Sequence, residues 1–438
     1  MKLNRKIFIT SLLALTLVLS GCDSDDDDDG AVGAGDNSGV DSGDTDGDTD
    51  SDADGDTDSD TDGDTDSGAG DDTATDGDAD TGSSATARAV VASIDAGFTS
   101  SVIDLVDVEA PFAVEGELNP GVSDTIVRAF GDRYFVIRRF MSDSIAAYSV
   151  DDPSTPLYEV STNSETEDVS SNPHDLIFLN AEKAYLLRYG SPIMWIVNPS
   201  ATDPADFRIG EIDLSVYDAD GVPEATRGAI VGDRLFIVMQ RLQNFAPTQP
   251  GAVAVIDTTT DTEIDTGSSN EFPGIELPAF NPSELSVDTS SDTLLISAQG
   301  DFGAFDGSRP PALTGGLVAL DATDFSVSQL IDDNDGTGRM INVEVASASV
   351  GYLVTSTAFD VTSLDQFNPV TGNIDALGVA GLSGVDIRDI ATGPAGNLWI
   401  AVADPVAPRI VIIDPTDNSV VADEIATTLN PTNIVFTE

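Results

Sequence analysis

The chain has 438 residues and a formal net charge of −60, because 78 acidic side chains face only 18 lysines and arginines. Nucleic acid and anionic lipid surfaces are poor partners for a body of this charge. Because the chain has a single cysteine, it cannot form a disulfide within itself. Because it has a single histidine, the histidine-rich sites that hold most zinc and copper are also excluded. The stability of the folded part must therefore come from an apolar core.

The first predicted element is a basic and then apolar leader that ends at the single cysteine. Its apolar run, residues 7–19, is shorter than the roughly 20 residues that a membrane-spanning helix needs. The run ends in Leu19-Ser20-Gly21-Cys22, which resembles the lipobox of bacterial lipoproteins. The resemblance implies a signal peptide over residues 1–21, cleavage before Cys22, and acylation of Cys22 as a membrane anchor.

A lipid anchor would place the protein in the bacterial cell envelope, with the membrane itself as a partner. We favour the outer membrane, because a long tether is more useful there. Asp23 resembles the inner-membrane retention signal of enteric bacteria, so the periplasmic face of the inner membrane stays open.

Residues 22–86 form an aspartate-rich segment that we expect to be a disordered, extended tether. Aspartate is its only charged residue up to Asp80, and the remainder is mostly Gly, Ser, Thr and Ala. Asp50, Asp52 and Asp54 match the first half of an EF-hand calcium loop, yet position twelve is Thr61 instead of glutamate. Weak, diffuse cation binding is the favoured interpretation, and a specific Ca²⁺ site is the alternative.

From residue 87 to residue 438 the sequence repeats a pair of short apolar strands about every 45 to 55 residues. One copy reads Gly396-Asn397-Leu398-Trp399-Ile400-Ala401-Val402 and then Arg409-Ile410-Val411-Ile412-Ile413-Asp414-Pro415-Thr416. Another reads Gly232-Asp233-Arg234-Leu235-Phe236-Ile237-Val238 and then Val253-Ala254-Val255-Ile256-Asp257-Thr258-Thr259. The repeats resemble those of YVTN and YncE-like β-propellers. The resemblance implies an all-β fold of four-stranded blades stacked around an axis.

The last repeat is incomplete, which predicts how the propeller closes. Asn430-Pro431-Thr432-Asn433 matches the opening of a blade, as in Asn172-Pro173-His174-Asp175, and only one strand follows it. Residues 89–94 and 102–106 read as the missing later strands. We therefore expect the N- and C-terminal strands to pair in one blade of a monomer with seven blades, with six or eight blades as the alternatives.

Charged and amide side chains recur at the openings of the blades, where the strands of a propeller line the central channel. They are candidates for binding a cation or a polar ligand at the channel mouth, with a self-neutralising channel lining as the alternative. The candidates are His174, Asp175, Arg227, Glu284, Glu344, Arg388, Asp389 and Asn433. His174 is interpreted as a hydrogen-bonded structural residue, because no nucleophile motif accompanies it.

A second candidate metal site is the acidic segment at Asp218 and Asp220. Aspartates at alternate positions before a glycine suit a Ca²⁺ loop, but they also form ordinary Asp-Gly turns, and we favour the turn.

These observations favour a non-catalytic scaffold whose propeller binds a protein or surface partner. Two alternatives remain. One is a propeller hydrolase or lactonase whose metal is held by Glu284, Asp389 and Asn433 in the channel. The other is Ca²⁺-dependent surface adhesion through the acidic tract.

Overall fold

The computed structural model describes residues 87–167, 169–304, 308–333, 337–358 and 360–438. Cys22, the tether and the predicted calcium ligands Asp50, Asp52 and Asp54 lie outside the described residues. Within them, the helical elements are short 3₁₀ turns at Pro204–Asp206, Ser215–Tyr217 and Val379–Gly381. No described helix is long and apolar enough to cross a bilayer.

Almost all regular structure is β, as the sequence predicted. The first strands are β1 (Arg88–Ile94), β2 (Ser101–Asp107), β3 (Val114–Gly121), β4 (Thr125–Phe130), β5 (Arg133–Arg138), β6 (Ser144–Ser149), β7 (Tyr158–Ser161), β8 (Pro173–Asn180), β9 (Lys183–Arg188) and β10 (Ile193–Val197). The next are β11 (Arg208–Asp213), β12 (Ala225–Val231), β13 (Arg234–Met239), β14 (Pro250–Asp257), β15 (Thr262–Glu263), β16 (Ile275–Phe280), β17 (Pro282–Asp288), β18 (Thr293–Ala298), β19 (Gly316–Asp321) and β20 (Val327–Asp332). The last are β21 (Arg339–Ser347), β22 (Val350–Ala358), β23 (Val361–Phe367), β24 (Ile374–Ala376), β25 (Ser383–Thr392), β26 (Leu398–Ala403), β27 (Arg409–Asp414), β28 (Ser419–Ala426) and β29 (Asn430–Phe436).

The strands form antiparallel sheets, mostly of four strands that follow one another in the chain. Strands β4–β7, β8–β11 and β17–β20 make three such sheets, and β12–β15 make a fourth to which β16 adds by pairing with β14. Strands β21–β28 share one larger sheet, because β23 pairs with β25 at Thr362↔Val385 and Ser363↔Ser383. The predicted four-stranded antiparallel units are therefore confirmed.

The remaining sheet joins distant parts of the chain. Its strand order is β29-β1-β2-β3, with β29 antiparallel to β1 from Ala89↔Phe436 to Ile94↔Asn430. Beside this ladder, the backbone N–H of Arg88 donates to Thr437 Oγ1 at 2.9 Å. The last strand thus lies against the first described strand.

The core lies between consecutive sheets, because the second strand of each unit is apolar on both faces. In β5, Phe135 and Ile137 pack toward β8–β11, while Tyr134 and Val136 pack toward β1 and β2. Side chains that alternate along a strand point to opposite faces, so one run of apolar residues serves two interfaces. Equivalent clusters lie at the other sheet contacts, including one between β26–β28 and the β29-β1-β2 sheet.

The strand that opens each unit is more exposed than the strand after it. We call β4, β8, β12, β17, β21, β25 and β29 the inner strands, and the end at which they begin the entry end. An Asn-Pro pair stands at the start of β8, β17 and β29. Asn172 and Asn281 have φ values of 48° and 55°, a backbone region that asparagine tolerates. Partial exposure along the inner strands shows that water reaches them, whereas β5, β9 and β26 are almost fully buried.

Candidate functional site

A β-bulge near the start of the inner strands positions most of the candidate side chains. Each bulge leaves one residue without a cross-strand partner: His174, Thr226, Ser283, Ile341, Arg388 and Thr432. The residue after the bulge is in turn Asp175, Arg227, Glu284, Asn342, Asp389 and Asn433. Because a bulge re-aims the side chains beside it, this shared geometry gives these residues equivalent positions.

Asp175 joins three inner strands. Its Oδ1 accepts the Nε–H of Arg128 on β4 at 2.5 Å, and its Oδ2 accepts the backbone N–H of Gly228 on β12 at 3.0 Å. The Leu176 N–H also donates to Oδ1, at 2.9 Å. Asp175 is only 4% exposed, and both of its carboxylate oxygens accept hydrogen bonds. We therefore assign it a structural role.

Arg227 and Glu284 form a two-point ion pair between β12 and β17. Arg227 donates from Nε to Glu284 Oε2 and from a terminal nitrogen to Oε1, both at 2.5 Å. Its other terminal nitrogen donates to the carbonyl of His174 at 3.2 Å. Burial alone would lower the pKa of Arg227, but the charges of Glu284, Asp175 and Asp389 raise it above its ordinary value.

Asp389 is held by three donors at the junction of β21, β25 and β29. Its Oδ1 accepts Asn342 Nδ2 at 2.9 Å, and its Oδ2 accepts Asn433 Nδ2 at 2.9 Å and the Ile434 N–H at 2.7 Å. Burial, with a smaller contribution from the charge of Glu284, raises the pKa of Asp389 to about 6, although the three donors oppose the shift.

Glu344, which the sequence placed at the opening of a blade, lies two residues beyond Asn342, the residue that follows the bulge in β21. The difference of two keeps both side chains on the same face of the strand. Glu344 Oε2 accepts Ser286 Oγ at 3.1 Å, and Oε1 accepts the Thr392 N–H at 2.9 Å. Burial raises the pKa of Glu344 above its ordinary value.

His174 differs from the other candidates because its side chain has no hydrogen bond within the described residues. Its ring stacks on Tyr189, with centroids 4.1 Å apart and planes at 18°, and its Nδ1 is buried without a partner. Burial holds the pKa of His174 well below its usual range, and the charges of Arg139, Arg227 and Arg128 lower it further. His174 is therefore neutral at pH 7. The sequence analysis expected a hydrogen-bonded histidine, whereas the described contact of the His174 ring is its stacking on Tyr189.

Arg388 stands apart from this network. It donates to Asp386 Oδ2 at 2.7 Å and lies over the ring of Phe98, 5.5 Å from its centroid. The structure therefore places Arg388 at a surface cavity of the entry end.

Asp218 and Asp220 form a turn in the structure. The two Asp218 oxygens accept the side-chain amides of Gln243 and Gln249 at 2.7 and 2.8 Å, and the Asp218 carbonyl accepts the Gly221 N–H at 3.0 Å. Over the described ranges, no group of three or more His, Cys, Asp or Glu side chains is arranged to hold a metal. These contacts fit the Asp-Gly turn that the sequence analysis favoured over a Ca²⁺ loop.

The convergence that the hydrolase alternative requires is only partly present. Asp389 and Asn433 are hydrogen bonded, but Glu284 points its oxygens at Arg227. The sequence analysis missed Arg128, Ser286, Asn342 and Asp386 as partners. One sequence signal could have helped: a polar side chain follows two residues after Pro173, Pro282 and Pro431. This signal does not identify Asn342, because Met340 stands where the other strands have proline.

No protein-family model matches the chain, and no curated protein matches it by sequence. Solved structures are similar to it. A candidate 6-phosphogluconolactonase from Bacteroides uniformis has a TM-score of 0.55 at 12% identity, over 80% of this chain and 99% of that chain. A protein from Lactobacillus plantarum has a TM-score of 0.54 at 11% identity, over 80% and 99%. Likeness at such identities shows the fold alone, which is that of β-propeller-type proteins.

Proposed function

We propose that this protein is a lipid-anchored lipoprotein of the bacterial cell envelope. In this proposal its folded body is a seven-bladed, non-catalytic β-propeller that serves as a binding scaffold. The seven blades follow from the strand order if β21–β24 and β25–β28 count as separate blades. The pairing of β29 with β1, and core clusters on both sides of the sheet they share, support closure of the ring.

The observation that carries the scaffold proposal is that the polar groups of the inner strands bind one another. Most of these contacts cross from one inner strand to the next, as in Arg128–Asp175, Arg227–Glu284 and Asn342–Asp389. Asn433 then binds both Asp389 and the Val127 N–H. Groups saturated in this way stabilise the centre of the fold instead of presenting reactive atoms.

The entry end is the face that we propose for docking a protein partner. Large apolar side chains protrude from most of its loops between second and third strands. They are Met141, Phe245, Leu313, Val361 and Val406, with exposures of 75%, 41%, 51%, 40% and 88%. Exposed apolar side chains on several loops of one end can contribute to an interaction surface.

Site-specific photo-crosslinking in intact cells tests the docking face. We expect a crosslinker at Val406 to give a discrete higher-mass adduct. A matched crosslinker at Val370, which is 69% exposed at the opposite end, should give none. A second crosslinker at Met141 tests another loop of the entry end. Equal adducts from Val406 and Val370, or no adduct from either Val406 or Met141, would contradict this docking face.

Cell fractionation tests the anchor separately. Cys22→Ser should release the full chain from the membrane into the soluble periplasmic fraction, and density-gradient separation of the wild type should place it with the outer membrane. Continued membrane association of the Cys22→Ser chain would refute the lipid anchor.

A further inference from the structure

A surface cavity of about 370 Å³ opens at the entry end, beside β25. Its walls come from the β1–β2 loop, the β22–β23 turn, β25 and the loop between β26 and β27. Its polar or aromatic wall residues include Phe98, Asp360, Asp386, Arg388, Asp404 and Arg409. Val402 and Ala403 also line it, but they are only 1% and 7% exposed and present little surface. The volume lies in the range of sites for small molecules.

The charged groups of this cavity fall into two sets. Arg388 and Asp386 neutralise each other through two hydrogen bonds at 2.9 and 2.7 Å. Asp404 Oδ1 accepts the backbone N–H groups of Val406 and Ala407 at 2.8 and 3.1 Å, which fixes the loop between β26 and β27. These three residues are engaged within the protein.

Asp360 and Arg409 are the cavity charges without an ion pair inside 4.0 Å among the described residues, although the charge of Arg409 contributes to lowering the pKa of Asp404. In the part of the chain that the structure describes, Asp360 has no hydrogen bond or ion pair. Arg409 makes only a 3.4 Å contact with the Ala407 carbonyl. The two residues line one cavity, yet their charged atoms do not come within 4.0 Å of each other. A cation alone would satisfy Asp360 and leave Arg409 unpaired, and an anion alone would do the reverse.

We propose that this cavity binds a zwitterion of the amino-acid or short-peptide class. The ligand's ammonium group pairs with Asp360 and its carboxylate pairs with Arg409. Its side chain packs against the Phe98 ring. The proposal is independent of the tether and of protein docking, because it rests only on this cavity.

Isothermal titration calorimetry on the full chain in detergent micelles tests the ligand class. The probes are L-phenylalanine, its amide, which lacks the carboxylate, and 3-phenylpropionate, which lacks the ammonium group. We expect L-phenylalanine to bind and each analogue to bind at least about ten-fold more weakly, since each loses one charge-assisted contact. No detectable heat from L-phenylalanine at about 10 mM, or equal affinity for all three probes, would overturn the proposal.

Two variants assign the contacts. Asp360→Asn should weaken L-phenylalanine about ten-fold but leave 3-phenylpropionate unchanged, and Arg409→Gln should weaken L-phenylalanine but leave the amide unchanged. Asp375→Asn and Arg208→Gln, at exposed positions away from the cavity, are the matched controls and should bind like the wild type. If the cavity variants bind L-phenylalanine as the controls do, the ligand is not held by Asp360 and Arg409 and the proposal fails.

Discussion

The side chain of Asn433 donates from Nδ2 to Oδ2 of Asp389 at 2.9 Å, and this bond joins β29 to β25. The same amide accepts the Val127 N–H through Oδ1 at 2.9 Å, so it also reaches β4. One short side chain therefore connects three inner strands that are far apart in the sequence. An amide suits this position, because it presents a donor and an acceptor on one short planar group.

Replacing Asn433 should test this connection directly. Asn433→Ala leaves the Val127 N–H without its acceptor and removes one of the three donors to Asp389. We therefore expect the free energy of unfolding to fall by about 2 kcal/mol. Urea unfolding followed by tryptophan fluorescence measures it, with the exposed Asn270→Ala as the matched control. A loss no larger than that of the control would show that the amide bonds are not stabilising.

Removing the last strand should have a larger effect. Deletion of residues 430–438 leaves β1 without its ladder partner and exposes Val91, which is fully buried. We expect the truncated chain to lose cooperative unfolding, as seen by circular dichroism during heating. A melting temperature equal to that of the full chain would contradict closure through β29.

Asp389 should make stability depend on pH. Its pKa is raised from 3.8 to about 6, so the folded state holds the proton more tightly than the unfolded state. The free energy of unfolding should therefore fall as pH rises from about 4 to about 6, by about 2 kcal/mol from this residue. The free energy of unfolding of Asp389→Asn should not show this fall with pH, even where its value at a single pH differs from that of the wild type.

Unfolding in urea at several pH values measures this difference between Asp389→Asn and the wild type. The exposed Asp375→Asn is the control and should follow the wild-type profile. Parallel profiles for Asp389→Asn and the wild type would show that the Asp389 pKa is not raised in the folded state.

The Arg227–Glu284 pair should be costly to break from one side. Arg227→Met leaves Glu284 near Asp389 without its counter-charge, and we expect a loss of about 3 kcal/mol. The double variant Arg227→Met, Glu284→Gln should recover part of that loss. The exposed pair of Arg208 and Glu211 is the control, and Arg208→Met should cost less than about 1 kcal/mol. Equal losses from the two single variants would mean that the inner pair is no stronger than a surface contact.

Glu224 should be protonated at pH 7. It is 6% exposed, and burial, with smaller contributions from Asp220 and Asp218, raises its pKa to about 9. Its Oε2 accepts the Leu242 N–H at 2.9 Å, a bond that the glutamine oxygen can also make. Stability should fall as pH rises toward 9, so Glu224→Gln should match the wild type near pH 5. Near pH 9 the variant should exceed it by at least about 1 kcal/mol.

Unfolding at the two pH values checks this expectation for Glu224. The exposed Glu211→Gln serves as the control, because a solvated carboxylate needs no protonation to remain in the folded state. If Glu224→Gln is less stable than the wild type near pH 9, the pKa of Glu224 is not raised in the folded state and this prediction is wrong.

The sequence predicted the polar side chains of the inner strands best where local patterns mark a strand start. Pro173, Pro282 and Pro431 each stand two residues before a polar side chain that the structure brings to an inner strand. At β21 no proline marks the start, and the prediction chose Glu344 instead of Asn342. Residues two apart lie on the same face of a strand, so alternation alone does not distinguish Glu344 from Asn342.

The sequence by itself determined the all-β class, because short apolar runs such as Leu398–Ala403, repeated between turn residues, are typical of strands that are covered on both faces. It also determined the charge of the chain and the types of residue available at the strand starts. Only the tertiary structure decided that Arg227 meets Glu284, and that Asp360 and Arg409 share a cavity without touching. Short-range periodicity encodes a strand, whereas contacts between residues far apart in the sequence depend on how the sheets are stacked.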